Sequence, residues 1–291
     1  MGKGSYHFDS YSMIMREVPA ETAFAVTVAG SDPSAGAGLQ IDLKTMAACG
    51  VWGMTIVAAL TAQNATHVLG TADVDPGFVR LQFAALEEDF PIGCYKTGML
   101  KNAETVRVVA ESVPDATPLV VDPVLLATAA GYRLLEESGA QALVEELIPR
   151  ATVLTPNLPE ASALSGIEIT DSVTMEEAAG WFLDCGAQSV IIKGGHAGFR
   201  KATDVFVDRD GMLLLSGNVY PFAEVHGSGC CFASAIAAHI ALGYPVREAA
   251  QRAKEFVDGA IRYAVAYAPG RYTMNPGWQQ YRTYTKISSR R

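Results

Sequence analysis

Short apolar runs and helical stretches alternate along most of this chain, and that alternation restricts the fold more than any other feature. FAVTVAG (Phe24 to Gly30), MTIVAAL (Met54 to Leu60), Ile92 to Thr97, LVVDPV (Leu119 to Val124), ATVLTPN (Ala151 to Asn157) and SVIIKGG (Ser189 to Gly195) have the length and β-branched content of buried strands. Between them, helical spacing runs over Leu39 to Ala48, Asp75 to Glu88, Ala103 to Ser112, Gly139 to Ile148 and Met175 to Cys185. Repeated alternation of this kind calls for right-handed crossovers and a mostly parallel sheet covered on both faces, so the fold class is α/β. DVFVD and MLLLSG around Arg209-Asp210-Gly211 read as an antiparallel hairpin edging that sheet. Two helices, Phe232 to Leu242 and Arg247 to Tyr267, complete the pattern, and the tail after Pro269 shows no clear element.

No repeat or linker divides the 291 residues, so one domain is expected over residues 21–291, preceded by a peripheral extension, residues 1–20, without apolar periodicity. With 49% hydrophobic residues the chain has material for a sizeable core, yet its apolar runs are broken well short of the ~20 residues a bilayer span needs. A net charge of -9 without basic clusters argues against nucleic acid or an anionic membrane as partner. Five cysteines without CxxC spacing fit neither a disulfide framework nor a zinc site. The expectation is a cytoplasmic protein with reduced thiols that handles a small molecule.

Two glycine-rich segments stand out. Ser31 to Gly38 links the first strand to a helix, but it lacks both the GxxxxGK[ST] and the full GxGxxG spacing of the common nucleotide loops. Gly227-Ser228-Gly229-Cys230 leads into the apolar helix that follows, whose first N–H groups and positive dipole end suit an anion such as a phosphoryl group. Taken alone, such a turn reads first as a plain helix cap.

Ligands of open parallel sheets sit beyond the carboxyl ends of the strands, and this chain is polar there: Asp32 and Asp42, Gln63, Lys96, Asp122, Asn157 and Glu160, Lys193 and His196. Asp122 and Glu160 with Asn157 suit Mg2+, a hard cation that takes oxygen ligands and keeps several waters. Lys193 could neutralise a transferred phosphoryl group. Each has a second reading: Asp122-Pro123 as a turn, Glu160 as the cap of a helix begun at Pro159, Lys193 as solvated. Together they favour phosphoryl transfer.

The stretches AVTVAGSDPSAGAGLQIDLKTM, ALTAQN, YKTGML, VVDPVL, TPNLPEASAL, IIKGGH and HGSGC follow one another in the order seen in one family. Over roughly Phe24 to Ala268 the chain resembles the hydroxymethylpyrimidine/phosphomethylpyrimidine kinases of thiamin biosynthesis, within the ribokinase-like superfamily that also contains pyridoxal kinases. The resemblance implies a three-layer αβα ribokinase-like fold, ATP and Mg2+ as cosubstrates, a pyrimidine substrate and a homodimer. By position it assigns Gly30, Asp42 and Gln63 to the pyrimidine, with Met99 and Val124 as candidate pocket walls. It assigns Asp122, Asn157, Glu160 and Lys193 to phosphate and Mg2+, and Gly227, Ser228, Gly229 and Cys230 to the anion hole.

Cys230 stands where typical pyridoxal kinases carry an aspartate base. A thiol at a helix N-terminus should have a lowered pKa and could accept a proton from a hydroxymethyl group, or it could chiefly orient the hydroxyl. Cys231 reads as helix core. Three positions depart from the family pattern: Thr128 to Gly131 lacks a usual serine and one glycine, Glu224-Val225 replaces Asn-Thr, and Ser228 replaces Thr while keeping the hydroxyl. The alternatives to a pyrimidine kinase are a pyridoxal or pyridoxine kinase and a non-catalytic pyrimidine-binding sensor.

Overall fold

The first strand, β1 (Phe24–Ser31), is buried at every residue between its two ends. The computed structural model describes residues 22–64, 67–126, 131–194, 202–221 and 225–280. After β1 come α1 (Gly38–Ala48), β2 (Trp52–Gln63), β3 (Val68–Asp73), α2 (Pro76–Asp89), β4 (Ile92–Thr97), α3 (Ala103–Ser112), β5 (Leu119–Val121) and α4 (Glu137–Ala142). The second half runs β6 (Val153–Leu154), α5 (Leu158–Ser165), α6 (Ser172–Asp184), β7 (Ser189–Ile192), β8 (Thr203–Asp208), β9 (Gly211–Ser216), β10 (Val225–His226), α7 (Ser228–Ala241), α8 (Val246–Arg262), β11 (Val265–Ala268) and β12 (Arg271–Thr273).

Nine strands form one sheet in the order β3-β2-β1-β4-β5-β6-β7-β8-β9. The six strands from β2 to β7 in that order are parallel, while β3 at one edge and the β8–β9 hairpin at the other run antiparallel. Alternate residues of each inner strand face opposite ways. Val26, Val28, Ile56, Tyr95, Val121 and Ile192 meet α2 to α6 through Val79, Phe83, Val109 and Phe182. Ala25, Cys94, Val120, Val153 and Ile191 meet α1, α7 and α8 through Ile41, Met46, Ile236 and Ala253. The result is the three-layer αβα arrangement, mostly parallel, with an antiparallel hairpin at the edge.

Local chemistry fixes the helix starts. Asp75 accepts from Phe78 N–H at the head of α2, and Asn102 from Thr105 N–H at the head of α3. Asn157 with Glu160, and Asp171 with Thr174, form reciprocal capping boxes on α5 and α6. α1 and α7 begin without a side-chain cap, so their first N–H groups are left for another acceptor.

Some expectations fall differently. β2 runs to Gln63, which therefore sits within the strand. α8 stops at Arg262, and Val265–Ala268 is a strand rather than the helix end. The tail is ordered into β11 and β12, which with β10 make a second sheet in the order β10-β12-β11, and Trp278 stacks on Tyr263 with ring centroids 6.2 Å apart. These strands are too short to carry a period: β11 and β12 pair as neighbours, and β12 also pairs with the distant β10. The extension 1–20, His196, Thr128 to Ala130 and Glu224 lie outside the described residues.

Candidate active site

The carboxyl ends of the inner strands open into a cleft between the β1–α1 loop and the start of α7. Asp32 builds one wall. Its Oδ1 accepts from Ser34 N–H and Ser34 Oγ–H, both at 2.8 Å, and its Oδ2 from Ala37 N–H at 2.9 Å and from His226 Nε2 at 3.2 Å. Burial alone would raise the Asp32 pKa, but the hydrogen bonds from His226, Ser34 and Gln63 hold it well below the usual carboxylate range. Gln40 closes the turn by accepting from Asp32 N–H and donating to Ser31 Oγ.

This loop lies directly on the turn before α7. Gly227 has φ 85°, and a Cβ there would sit 1.8 Å from the Gly36 carbonyl oxygen. No L side chain is tolerated at such an approach. The α7 N-terminus then presents the amides of Ser228, Gly229 and Cys230, while Cys231 N–H already donates to Gly227 C=O.

Lys193 and Asp122 lie against this turn. Lys193 Nζ donates to Asp122 Oδ1 at 2.9 Å, and Thr155 Oγ1–H donates to the same oxygen at 3.1 Å. A Cβ on Gly229 would fall 3.2 Å from Lys193 Nζ and 3.9 Å from Asp122 Oδ2, so the lysine and the helix amides share one small space. Burial would lower the Lys193 pKa, but the carboxylates of Asp122 and Glu160 raise it, keeping the ammonium charged.

Asn157 and Glu160 stand in different surroundings from those expected of direct metal ligands. Asn157 Oδ1 accepts from Glu160 N–H, and Glu160 spends one oxygen on Asn157 N–H at 2.9 Å and turns the other to Leu125 N–H at 3.4 Å. The cap reading of Glu160 therefore holds. Burial pushes its pKa up to about 7, with Lys193 working against the rise and Asp122 adding to it. Among the described residues no three His, Cys, Asp or Glu side chains gather in metal-binding geometry.

Gly30, Gln63, Met99, Val124 and Cys230 all line the cleft, as the sequence suggests, and Thr61, Leu134 and Lys96 join them. Asp42 differs: it is fully buried and absent from the cleft wall. Its Oδ2 accepts from Lys96 Nζ at 2.7 Å and Thr27 Oγ1–H at 2.6 Å, and its Oδ1 from Ser234 Oγ–H at 2.6 Å. Direct pairing of Asp42 with a pyrimidine amino group is thus replaced by a role beneath the site. The clue in the sequence was the helix register, since Asp42, Thr45 and Met46 share one buried face of α1.

The Cys230 thiol also departs from expectation. Burial pushes its pKa up to about 11, although the Lys96 charge and a hydrogen bond from Gly38 N–H pull the other way. At neutral pH it is a thiol, which favours orienting a hydroxyl over accepting its proton. Cys231 is buried core, its sulfur accepting from Thr45 Oγ1–H at 3.3 Å.

Comparison with known proteins fits this geometry. Residues 32–275 match the family model for phosphomethylpyrimidine kinase. A hydroxymethylpyrimidine/phosphomethylpyrimidine kinase of Rhizobium meliloti is 40% identical over 84% of this chain and 92% of its own. A thiamine biosynthesis bifunctional protein of Geobacter sulfurreducens is 40% identical over 89% of this chain, which spans 53% of that longer protein. Among solved structures, an ADP complex of Bacillus subtilis pyridoxal kinase superposes with a TM-score of 0.81 at 34% identity, covering 89% of this chain and 99% of that one.

Proposed function

The chain belongs to the phosphomethylpyrimidine kinase family, and from that premise we propose that it is a phosphotransferase that uses ATP to phosphorylate 4-amino-5-hydroxymethyl-2-methylpyrimidine and its monophosphate in thiamin biosynthesis. The observation that carries this reading is the packing of Lys193 and Asp122 against Gly229, next to a cleft lined by Gly30, Gln63, Met99 and Val124. Phosphoryl transfer asks chiefly for positioning and for neutralisation of charge on the moving group. Lys193 and the amides of Ser228, Gly229 and Cys230 supply that neutralisation. Gly30, Gln63, Met99 and Val124 hold the pyrimidine, with Gln63 reading its ring edge by directional hydrogen bonds inside apolar walls. ATP use is supported by the ADP-bound relative.

Mg2+ belongs to the same proposal. The donors beside Lys193 are hard oxygens of the class Mg2+ takes, which fits. Asp122, whose Oδ2 faces Gly229, would hold the ion, and Asn157 and Glu160, engaged in the α5 cap, would reach it through water. Bound there, it would neutralise the phosphates of the nucleotide. A homodimer and a cytoplasmic location complete the reading. Among the described residues no helix is long and apolar enough to cross a membrane.

An ADP-release assay with the pyrimidine alcohol, its monophosphate and pyridoxal tests the function. Turnover of the first two at rates well above pyridoxal is expected. Turnover of pyridoxal alone would move the protein to the pyridoxal kinases, and silence with all three would support the binding sensor.

A further inference from the structure

Lys96 takes no part in the phosphate chemistry above, yet three elements build it into the site. It rises from β4, is fully buried and lines the cleft together with Cys230. Its Nζ sits 3.1 Å from where a Cβ of Gly98, another wall of the cleft, would be. Asp42 on α1 takes one of its three N–H groups at 2.7 Å, the only hydrogen bond the ammonium makes among the described residues. Asp42 is itself clamped by Thr27 of β1 and by Ser234, one helical turn beyond Cys230 on α7. Two N–H donors of the buried ammonium thus have no partner among the described residues, and Gly98, beside its Nζ, is a wall of the cleft. Stability does not explain this choice, because a buried ion pair seldom outperforms apolar side chains of the same volume.

Resting on the kinase reading, we propose that Lys96 is a catalytic residue: it donates a hydrogen bond to the hydroxymethyl oxygen of the pyrimidine and stabilises the negative charge that oxygen gathers during transfer, with Asp42 as its positioning residue. In that step the oxygen bonds to the γ-phosphorus, and the bond from this phosphorus to the β–γ bridging oxygen breaks with its electron pair leaving on ADP. The hydroxyl proton is released to solvent, and Lys96 stays protonated throughout. Burial would strip its proton, but the charges of Asp42 and Asp122 hold its pKa above the ordinary value. Lys193 would then serve the phosphoryl end and Lys96 the acceptor end of one transfer.

The test compares Asp42→Asn with the double variant Asp42→Asn, Lys96→Met. The double variant leaves no buried charge unpaired, so a merely structural lysine predicts that it recovers stability and activity together. A catalytic Lys96 predicts recovered stability but a kcat about 100-fold or more below that of Asp42→Asn, with the KM for ATP little changed. Equal kcat in the two variants would overturn the proposal. A mutation-free measurement covers the case in which the variants do not fold. By calorimetry on the wild-type protein, 4-amino-2-methylpyrimidine-5-carboxylate, which places an anion beside Lys96, should bind about tenfold more tightly than its carboxamide. Equal or weaker binding of the carboxylate would refute the contact. Wild-type turnover of the pyrimidine alcohol tests the kinase reading separately, so failure of one is distinguishable from failure of the other.

Discussion

Replacing Gly227 by alanine is the most demanding test of how the site is assembled. The backbone there is left-handed at φ 85°, which costs an L residue about 1–2 kcal/mol. The new methyl would also meet the Gly36 carbonyl oxygen at 1.8 Å, and that atom is backbone, so it yields only if the whole β1–α1 loop moves. Overpacking of this kind costs about 1–3 kcal/mol more, giving a total of about 2–5 kcal/mol. For a chain of this size that corresponds to a fall in Tm of about 5–15 °C. Urea unfolding gives the energy, and the ADP-release assay gives the activity. The same displacement would part His226 from Asp32 and tilt the α7 amides, so kcat should fall with stability. Gly229→Ala is the control: its methyl meets the tip of Lys193 at 3.2 Å and no backbone outside its own helix, so activity should drop with a stability loss below about 1 kcal/mol. A Gly227→Ala protein that unfolds within about 0.5 kcal/mol of wild type and turns over normally would refute the account of the loop contact.

Gly30→Ala would bring a methyl to 3.0 Å from Met99 Sδ, a movable side-chain atom, so the fold should persist while the KM for the pyrimidine rises about tenfold and that for ATP does not. The Cys230 thiol, pushed up to about 11, should alkylate slowly with iodoacetamide below about pH 9, and kcat should show no thiol titration in the neutral range; an inflection near pH 7 assigned to Cys230 by its loss in Cys230→Ser would contradict this. Asp32, held below the usual carboxylate range when folded, contributes stability that is fully present above the unfolded value of about 4 and is lost as pH falls below it. Urea titrations between pH 3 and 7 should therefore show a steeper acid loss for wild type than for Asp32→Asn.

Much of the architecture was written in local pattern. The strand runs, the hairpin at Arg209-Asp210-Gly211 and the helix over Ala103 to Ser112 depend on period and turn chemistry, which short windows carry. What short windows do not carry is pairing at a distance. β12 has too few residues to announce itself and pairs with β10, which lies 45 residues or more before Arg271, while β11 is held only by the neighbouring β12. Asp42 and Lys96 show the same limit. Helix register hints that Asp42 is buried, but it does not name the partner, and only the fold brings Lys96 of a distant strand to within 2.7 Å. The pKa of Cys230 escapes the sequence for a related reason: position at a helix start is visible there, but the burial that outweighs it is not.

The small sheet has a consequence for the order of events when the chain is made. β10, which carries His226 and leads into Gly227, is held by β12, and Thr273 Oγ1–H donates to His226 C=O at 3.4 Å. Emerging from the ribosome N-terminus first, the chain can pair all nine strands of the large sheet before residues 271–273 exist outside the exit tunnel. The turn at Gly227 is therefore locked only after the large sheet can form, and a chain stalled or cut before Arg271 would keep most of its core while leaving that turn without its clamp.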